Sequence, residues 1–488
     1  MFLTMPFCKS PCLKGIPKVG NFSELIGVCD KDSMSLRKDF TKVAGSNLLL
    51  LLASTLNNFI LPMILSVVDY ANYKSYILYA SFSGLFHLGF VDGINLKYGG
   101  QHVSQIDRNS FWSEHHLFFL FQTAITALLF VVAAASHSWV LMLFALSVMP
   151  INMQSFFLFF LQAVGEFGLY AKCVIIVPSL MCLFTCVAFA FHSLVDYSVF
   201  CLIYLTSYLI SWLTLERRLR GRLPLVSSLK PFKQFRACKS IVFSGFFIMM
   251  GTIVFTFFMT AGRWLIKWLM DDASFAIYSI AASLLGFVLI FVNAVNKVFY
   301  PYLCRQKENE TKKKLLIDML LVIATLSLPF FFPMKVAIYF FLPNYINAVD
   351  IVKYLLLTLP AVIIIQSYYV NLYKVKKLER QYLKDGILYA SISLVLNIMA
   401  FYFFRSLTSI AIAAVISSYI WFLFPNRRIH IVSRRLFLFL YLISVFGVFL
   451  SVETFVGNDM MAFLVSLFVI TLINTIFYQP ELKTIFSR

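Results

Sequence analysis

Apolar residues in this chain recur in unbroken stretches of about 20, the length an α-helix needs to cross roughly 30 Å of hydrocarbon. They fall near 43–68, 75–96, 117–136, 139–163, 173–192, 196–214, 241–270, 275–303, 315–341, 351–373, 387–404, 407–425, 436–455 and 460–478. The stretches are continuous rather than alternating, which excludes the strands of a membrane barrel. Lipid satisfies no backbone N–H or C=O, so each crossing must be a helix. A soluble fold offers no escape: the chain is 60% hydrophobic and 13% charged, and no soluble core has the volume for that excess. The fold class expected is an all-α polytopic membrane protein of about fourteen transmembrane helices.

Lysine and arginine set the orientation, because they accumulate on the cytoplasmic side. Alternate loops hold ERRLRGRLPLVSSLKPFKQFRACK (216–239), RQKENETKKK (305–314), KVKKLERQYLK (374–384) and NRRIHIVSRR (426–435). The opposite loops hold only Lys74, Arg263, Lys267 and Arg405, with Lys335 and Lys353 near their edge. Both tails are therefore expected in the cytoplasm, and the net charge of +19 follows from topology rather than from a nucleic-acid partner. The expected organisation is a tail (1–42), an N-lobe of six helices (43–214), a basic linker (215–240), a C-lobe of six helices (241–425), a basic loop (426–435), two further helices (436–478) and a C-terminal tail (479–488). The first tail carries Pro6, Pro11 and Pro17 and lacks the apolar core of a signal peptide. The stretch from Met34 reads as a complete start, so Met34 is expected to be the initiator or residues 1–33 to be dispensable. The nine cysteines show no metal-ligand spacing; Cys8 and Cys12 have no second pair nearby, and Cys173, Cys182, Cys186 and Cys201 lie in apolar runs.

The two halves carry a faint internal repeat. A shift of 202 without gaps aligns Asp69 with Asp271, Ala71 with Ala273, Tyr76 with Tyr278, Ala80 with Ala282, Ser81 with Ser283 and Gly84 with Gly286. Six crossings separate the segments, so the halves have the same orientation. A parallel repeat of two six-helix lobes around a central path is a transporter architecture.

No phosphate loop, zinc-protease or serine-hydrolase motif is present, so neither an enzyme nor a chain that hydrolyses ATP itself is expected, and no cofactor. Asp271–Asp272 and His115–His116 read as surface residues, the latter in a cytoplasmic loop. Charge within crossings is more informative, since it is costly there and faces protein or water. Arg263 and Lys267 share a face of the seventh helix, beside Trp264 and Trp268. One reading is an interfacial anchor with snorkelling cations; the other is a cationic patch in a central cavity, favoured because both cations oppose the charge bias. Asn293 and Lys297 make a second stripe in the eighth helix. Asn57 and Asn58 lie within the first helix and Asp92 near the inner end of the second. All seven are candidate cavity residues, and several cations together suit a phosphate-bearing substrate.

At this level the chain resembles a known family. LPMILSVVDYANYKSYILYASFSGLFHLGFVDGINLKYGG (61–100) is similar to the opening of bacterial polysaccharide flippases of the Wzx type, in the multidrug/oligosaccharidyl-lipid/polysaccharide exporter superfamily. RWLIKWLMDDASFAIYSIAASLLGFVLIFVNAVNKVFYPYL (263–303) resembles their seventh and eighth helices. FFLPNYINAVDIVKYLLLTLP (340–360), KVKKLER and LNIMAFYFFRSLTSIAIAAVIS (396–417) continue the likeness, which covers most of 34–425. The resemblance implies two lobes in a V plus two helices, and alternating access. It also implies oligosaccharide repeat units on undecaprenyl pyrophosphate as cargo, for O-antigen or a related surface polysaccharide, in the bacterial cytoplasmic membrane. Arg263 matches the family's lumen arginine; Lys267 and Lys297 match less firmly. Partners implied are the lipid-linked oligosaccharide, membrane lipids, a polysaccharide polymerase and chain-length regulator, and a coupling ion. Lipid II flippases carry arginines in the first two helices, whereas runs 43–68 and 75–96 have none, which argues against lipid II. The alternatives are a cation-coupled drug exporter of the same superfamily and a membrane polymerase or ligase; the latter generally has a large outer loop, and none is expected here.

Overall fold

The computed structural model describes residues 56–191, 196–224, 235–305, 310–376, 378–425 and 435–486, without side chains for 235–237, 290–305, 310–313, 374, 435–436 and 479–486. Among the described residues every regular element is a helix. In chain order they are α1 (Val67–Ala80), α2 (Phe90–Tyr98), α3 (Arg108–Ala135), α4 (Trp139–Ala163), α5 (Phe167–Val174), α6 (Ile176–Ala190), α7 (Tyr197–Arg222), α8 (Phe235–Leu269) and α9 (Asp272–Arg305). The second half continues with α10 (Glu310–Leu326), α11 (Phe331–Phe341), α12 (Ala348–Leu356), α13 (Leu359–Ile364), α14 (Val370–Val375), α15 (Glu379–Phe404), α16 (Leu407–Leu423), α17 (Arg435–Phe455) and α18 (Asp459–Phe486). Among the described residues ten helices are long and apolar enough to cross a membrane, and up to twelve if each of two bent pairs is one span. The run at 407–425 forms α16, an apolar helix of 17 residues, and the run at 43–68 is described only from residue 56. The chain is thus a multi-pass membrane protein. Residues 1–33, the 225–234 part of the basic linker and 426–434 lie outside the described residues.

Several helices run past the apolar stretches that announce them. Backbone bonds continue through polar residues until a cap ends them. Asp107, whose side chain accepts from the Asn109 N–H at 3.1 Å, starts α3 well before the run at 117. His115 and His116 therefore sit in a helix and not in a loop, and His115 is buried beside Trp112 and Phe157. The second crossing is corrected more sharply. It opens at Val67, where Ser66 accepts from the Asp69 N–H, and is bent by 59° before Phe90. Leu88 and Gly89 both have positive φ there (50° and 85°).

A break inside lipid exposes carbonyls, and the first half supplies their partners. The Asn152 amide on α4 donates to Ser83 O at 3.2 Å and to the Gln122 side chain at 3.0 Å. Gln122 on α3 donates to Phe86 O at 3.0 Å. Both amides are buried.

The helices form two packed groups that meet along a seam. In the first, α4 touches α2, α3 and α7; in the second, α15 touches α8 and α16, and α12 touches α9 and α16. The seam is made by α1 on α9 and by α2 on α8. The last two helices pair with each other and lie on α10 and α11. Lys335–Asp459 (2.7 Å) and Lys353–Glu453 (3.4 Å) fasten them at one end. Within the bundle, Tyr441 donates to Asn474 at 2.5 Å and lies 2.8 Å from the Thr325 hydroxyl. The two ends of the bundle differ: one carries the arginines closing α7 and is termed the basic end; the other carries the α8–α9 turn and is termed the Asp271 end.

Candidate functional site: a cationic seam between the halves

Two cations from opposite halves come together near the Asp271 end. Lys74 stands seven residues into α1, about 10 Å along the helix, and Arg263 six residues before the end of α8, about 9 Å deep. Lys74, which the sequence assigns to a loop, is 6% exposed. Its ammonium donates to Asn58 Oδ1 and to Ser283 Oγ, each at 2.9 Å, and lies 5.2 Å from the Tyr70 ring centre. Ser283 is on α9, so one lysine ties the halves together. Arg263 lies within electrostatic range of Lys74, Tyr70 and Tyr278. Among the described residues its buried Nε has no hydrogen-bond partner, and neither do Asn57 Oδ1 and the Tyr345 hydroxyl. Tyr70 packs edge-on against Tyr345 of the second half, ring centres 5.7 Å apart.

Charge balance separates this pair from the other cations. Lys97 meets Glu114, Lys267 meets Asp272 (2.8 Å), Lys335 meets Asp459 and Lys353 meets Glu453. Among the described residues neither Lys74 nor Arg263 forms an ion pair. Two uncompensated positive charges in a buried seam repel each other and lack solvation, a cost that an anion placed between them would remove.

The seven residues singled out from the sequence divide. Arg263 and Asn58 join this group; Asn57 stands beside Asn58 in sequence, but no contact among the described residues ties it to the two cations. Lys267 turns to Asp272 and the Phe275 ring in the α8–α9 turn. Asp92 lies across the break in the second crossing, on α2, with His87 Nε2 at 3.9 Å. Asn293 and Lys297 are on the later part of α9, where side chains are not described. The missed residues are Lys74, Tyr70, Ser283 and Tyr345. Lys74 carried a readable signal, since like Arg263 it opposes the charge bias; an estimate of the helix start that is about two turns too late hid it. Its presence also qualifies the contrast with lipid II flippases: the second crossing has no arginine but does carry a buried cation.

The seam is shut toward the basic end by backbone contact. A Cβ on Gly93 would lie 2.1 Å from Ile241 O, and one on Gly245 would lie 2.1 Å from Gly89 O and 2.4 Å from Gly93 N. Gly89 and Gly93 are four apart on one face, a small-residue pair that lets helix backbones touch.

No family model and no curated protein matches the chain. Solved structures match its fold. The lipid II flippase MurJ, in an inward closed conformation, superposes with a TM-score of 0.68 at 14% identity, covering 91% of this chain and 99% of that one. The Vibrio cholerae MATE transporter VcmN gives 0.55 at 12% identity over 80% of this chain and 96% of its own. A MOP-superfamily transporter from Pyrococcus furiosus, described as having reverse polarity of its binding pocket, gives 0.53 at 12% identity over 80% and 95%. The chain has the fold shared by MurJ and the MATE transporters.

Proposed function

We propose that this chain is a flippase of the bacterial cytoplasmic membrane. Its cargo is an oligosaccharide repeat unit of O-antigen or a related surface polysaccharide, linked to undecaprenyl pyrophosphate, and it is moved by alternating opening of the two halves. The observation that carries the reading is the Lys74–Arg263 pair, two cations from opposite halves, Lys74 buried and Arg263 half-buried, with no carboxylate bonded to either among the described residues. A pyrophosphate is the group that such a pair accommodates: arginine offers planar paired donors and lysine a point charge. The prenyl chain would remain in lipid while the charged and sugar parts cross between the halves. The fold likeness to a lipid II flippase, over more of the chain than the MATE likenesses cover, supports a lipid-linked cargo. The basic loops place the basic end in the cytoplasm. The second reading, a cation-coupled drug exporter, draws on the MATE likeness, but a cationic drug would meet repulsion at Lys74 and Arg263.

The test is surface polysaccharide per unit of membrane-inserted protein. Arg263→Ala should abolish export at normal insertion, Arg263→Lys should restore part of it, and Lys74→Gln should lower it strongly. Normal export by Arg263→Ala at normal protein level removes the pyrophosphate reading. An interfacial anchor predicts otherwise, with lysine replacing arginine almost fully and alanine lowering protein level more than activity per molecule.

A further inference from the structure

The two ends of the seam are shut by bonds of different chemistry. Toward the basic end, Gly89 and Gly93 lie directly on Gly245 and Ile241, backbone against backbone. That contact offers a phosphate nothing. Toward the Asp271 end the closure runs through the Lys74 ammonium, shared between Asn58 of the first half and Ser283 of the second. Ser283 is a neutral acceptor whose own proton is committed to Ser279 O at 2.7 Å. Tyr70 and Tyr345 close over the same place, and the buried Tyr345 hydroxyl has no hydrogen-bond partner among the described residues.

We propose that Lys74 couples ligand binding to opening of the Asp271 end. A phosphate held between Lys74 and Arg263 competes with Ser283 for the lysine's protons and releases the bond across the halves, while the glycine contact at the basic end stays shut. The exchange is favourable because an anionic oxygen adds a Coulombic attraction to the ammonium that a neutral hydroxyl lacks. It also meets the requirement that a ligand shift a conformational equilibrium only through contacts that differ between states. With the seam sealed, two of the three ammonium donors are spent on Asn58 and Ser283; with it open, the one given to Ser283 is available to the phosphate. Ser283 is in this scheme a positioning residue that holds the empty protein closed. The inference rests on the phosphate reading of the Lys74–Arg263 pair and adds which end the ligand opens, and by what bond.

The experiment uses the full chain in liposomes, with native cysteines replaced, export retained, and one cysteine introduced by Ser279→Cys. Ser279 is fully buried and lies one turn before Ser283 on the same face of α9. A membrane-impermeant maleimide should label it slowly in the empty protein. Undecaprenyl pyrophosphate should raise the rate several-fold; inorganic pyrophosphate, run in parallel, tells whether the headgroup alone suffices. Ser283→Ala should raise the ligand-free rate about tenfold or more, the population shift expected from one hydrogen bond to a charged group, and should blunt the response to ligand. Ser283→Thr, which keeps the hydroxyl, should behave as the parent. Binding is followed separately by the thermal shift each probe produces. If the prenyl probe binds and labelling does not change, or if Ser283→Ala labels at the parental rate, the coupling is wrong and the phosphate site stands. If the probe shifts the parent no more than it shifts Arg263→Ala, the phosphate site falls and the coupling with it.

Discussion

Replacing Gly93 with alanine should hold the basic end of the seam ajar. The added methyl would sit 2.1 Å from Ile241 O, 2.6 Å from Ile241 Cγ2 and 2.7 Å from Ile241 C. Two of these neighbours are backbone, so no side-chain rotation relieves the clash. Reaching ordinary contact at 3.4 Å requires α2 and α8 to part by about 1.3 Å along that line. Overpacking of this kind costs about 1–3 kcal/mol, which is about 5- to 150-fold in the population of the closed state. The helices themselves are unaffected, because Gly93 lies within α2 and alanine is the better helix former there. Cys238 supplies the readout: it is 5% exposed and belongs to the cluster that includes Phe90, Ile94 and Ile241 around this contact. With Cys238 as the sole cysteine, Gly93→Ala should speed its maleimide labelling by that range and reduce export at normal protein level. Gly447→Ala, whose methyl meets nothing within 4 Å, should change neither. Protected Cys238 and normal export in Gly93→Ala would refute closure by backbone contact.

Reporter fusions at 225, 310, 380 and 430 should report cytoplasm, and those at 345 and 457 the outside; a cytoplasmic result at 345 breaks the fourteen-crossing topology. Lys335→Asp should loosen the last helix pair and lower thermal stability by about 1 kcal/mol, with the exchange Lys335→Asp/Asp459→Lys restoring most of it, as read by melting in detergent. Tyr441→Phe leaves the buried Asn474 Oδ1 without its 2.5 Å donor and should cost about 1–3 kcal/mol in the same assay.

What the sequence by itself determined is what local composition controls. Apolar runs of helix length dictate crossings because lipid leaves the backbone no other partner, and Arg263 stood out as a charge where charge is costly. The break in the second crossing was not legible. Gly89 and Gly93 are ordinary in a membrane helix, and the bend becomes tolerable only because Asn152 and Gln122, far along the chain, cap its carbonyls. Lys74 was misplaced for a related reason: the polar first turn of α1, capped by Ser66, resembles a loop in hydropathy although its backbone is already helical. Whether a cation is paired is likewise decided only in three dimensions. Lys267 and Arg263 share one helix face, yet Asp272 neutralises Lys267 while Arg263 comes within electrostatic range of Lys74 of the other half. Hydropathy is a property of neighbours along the chain, whereas the compensation of a buried charge depends on which helices the fold brings together, and the tertiary structure alone decides that.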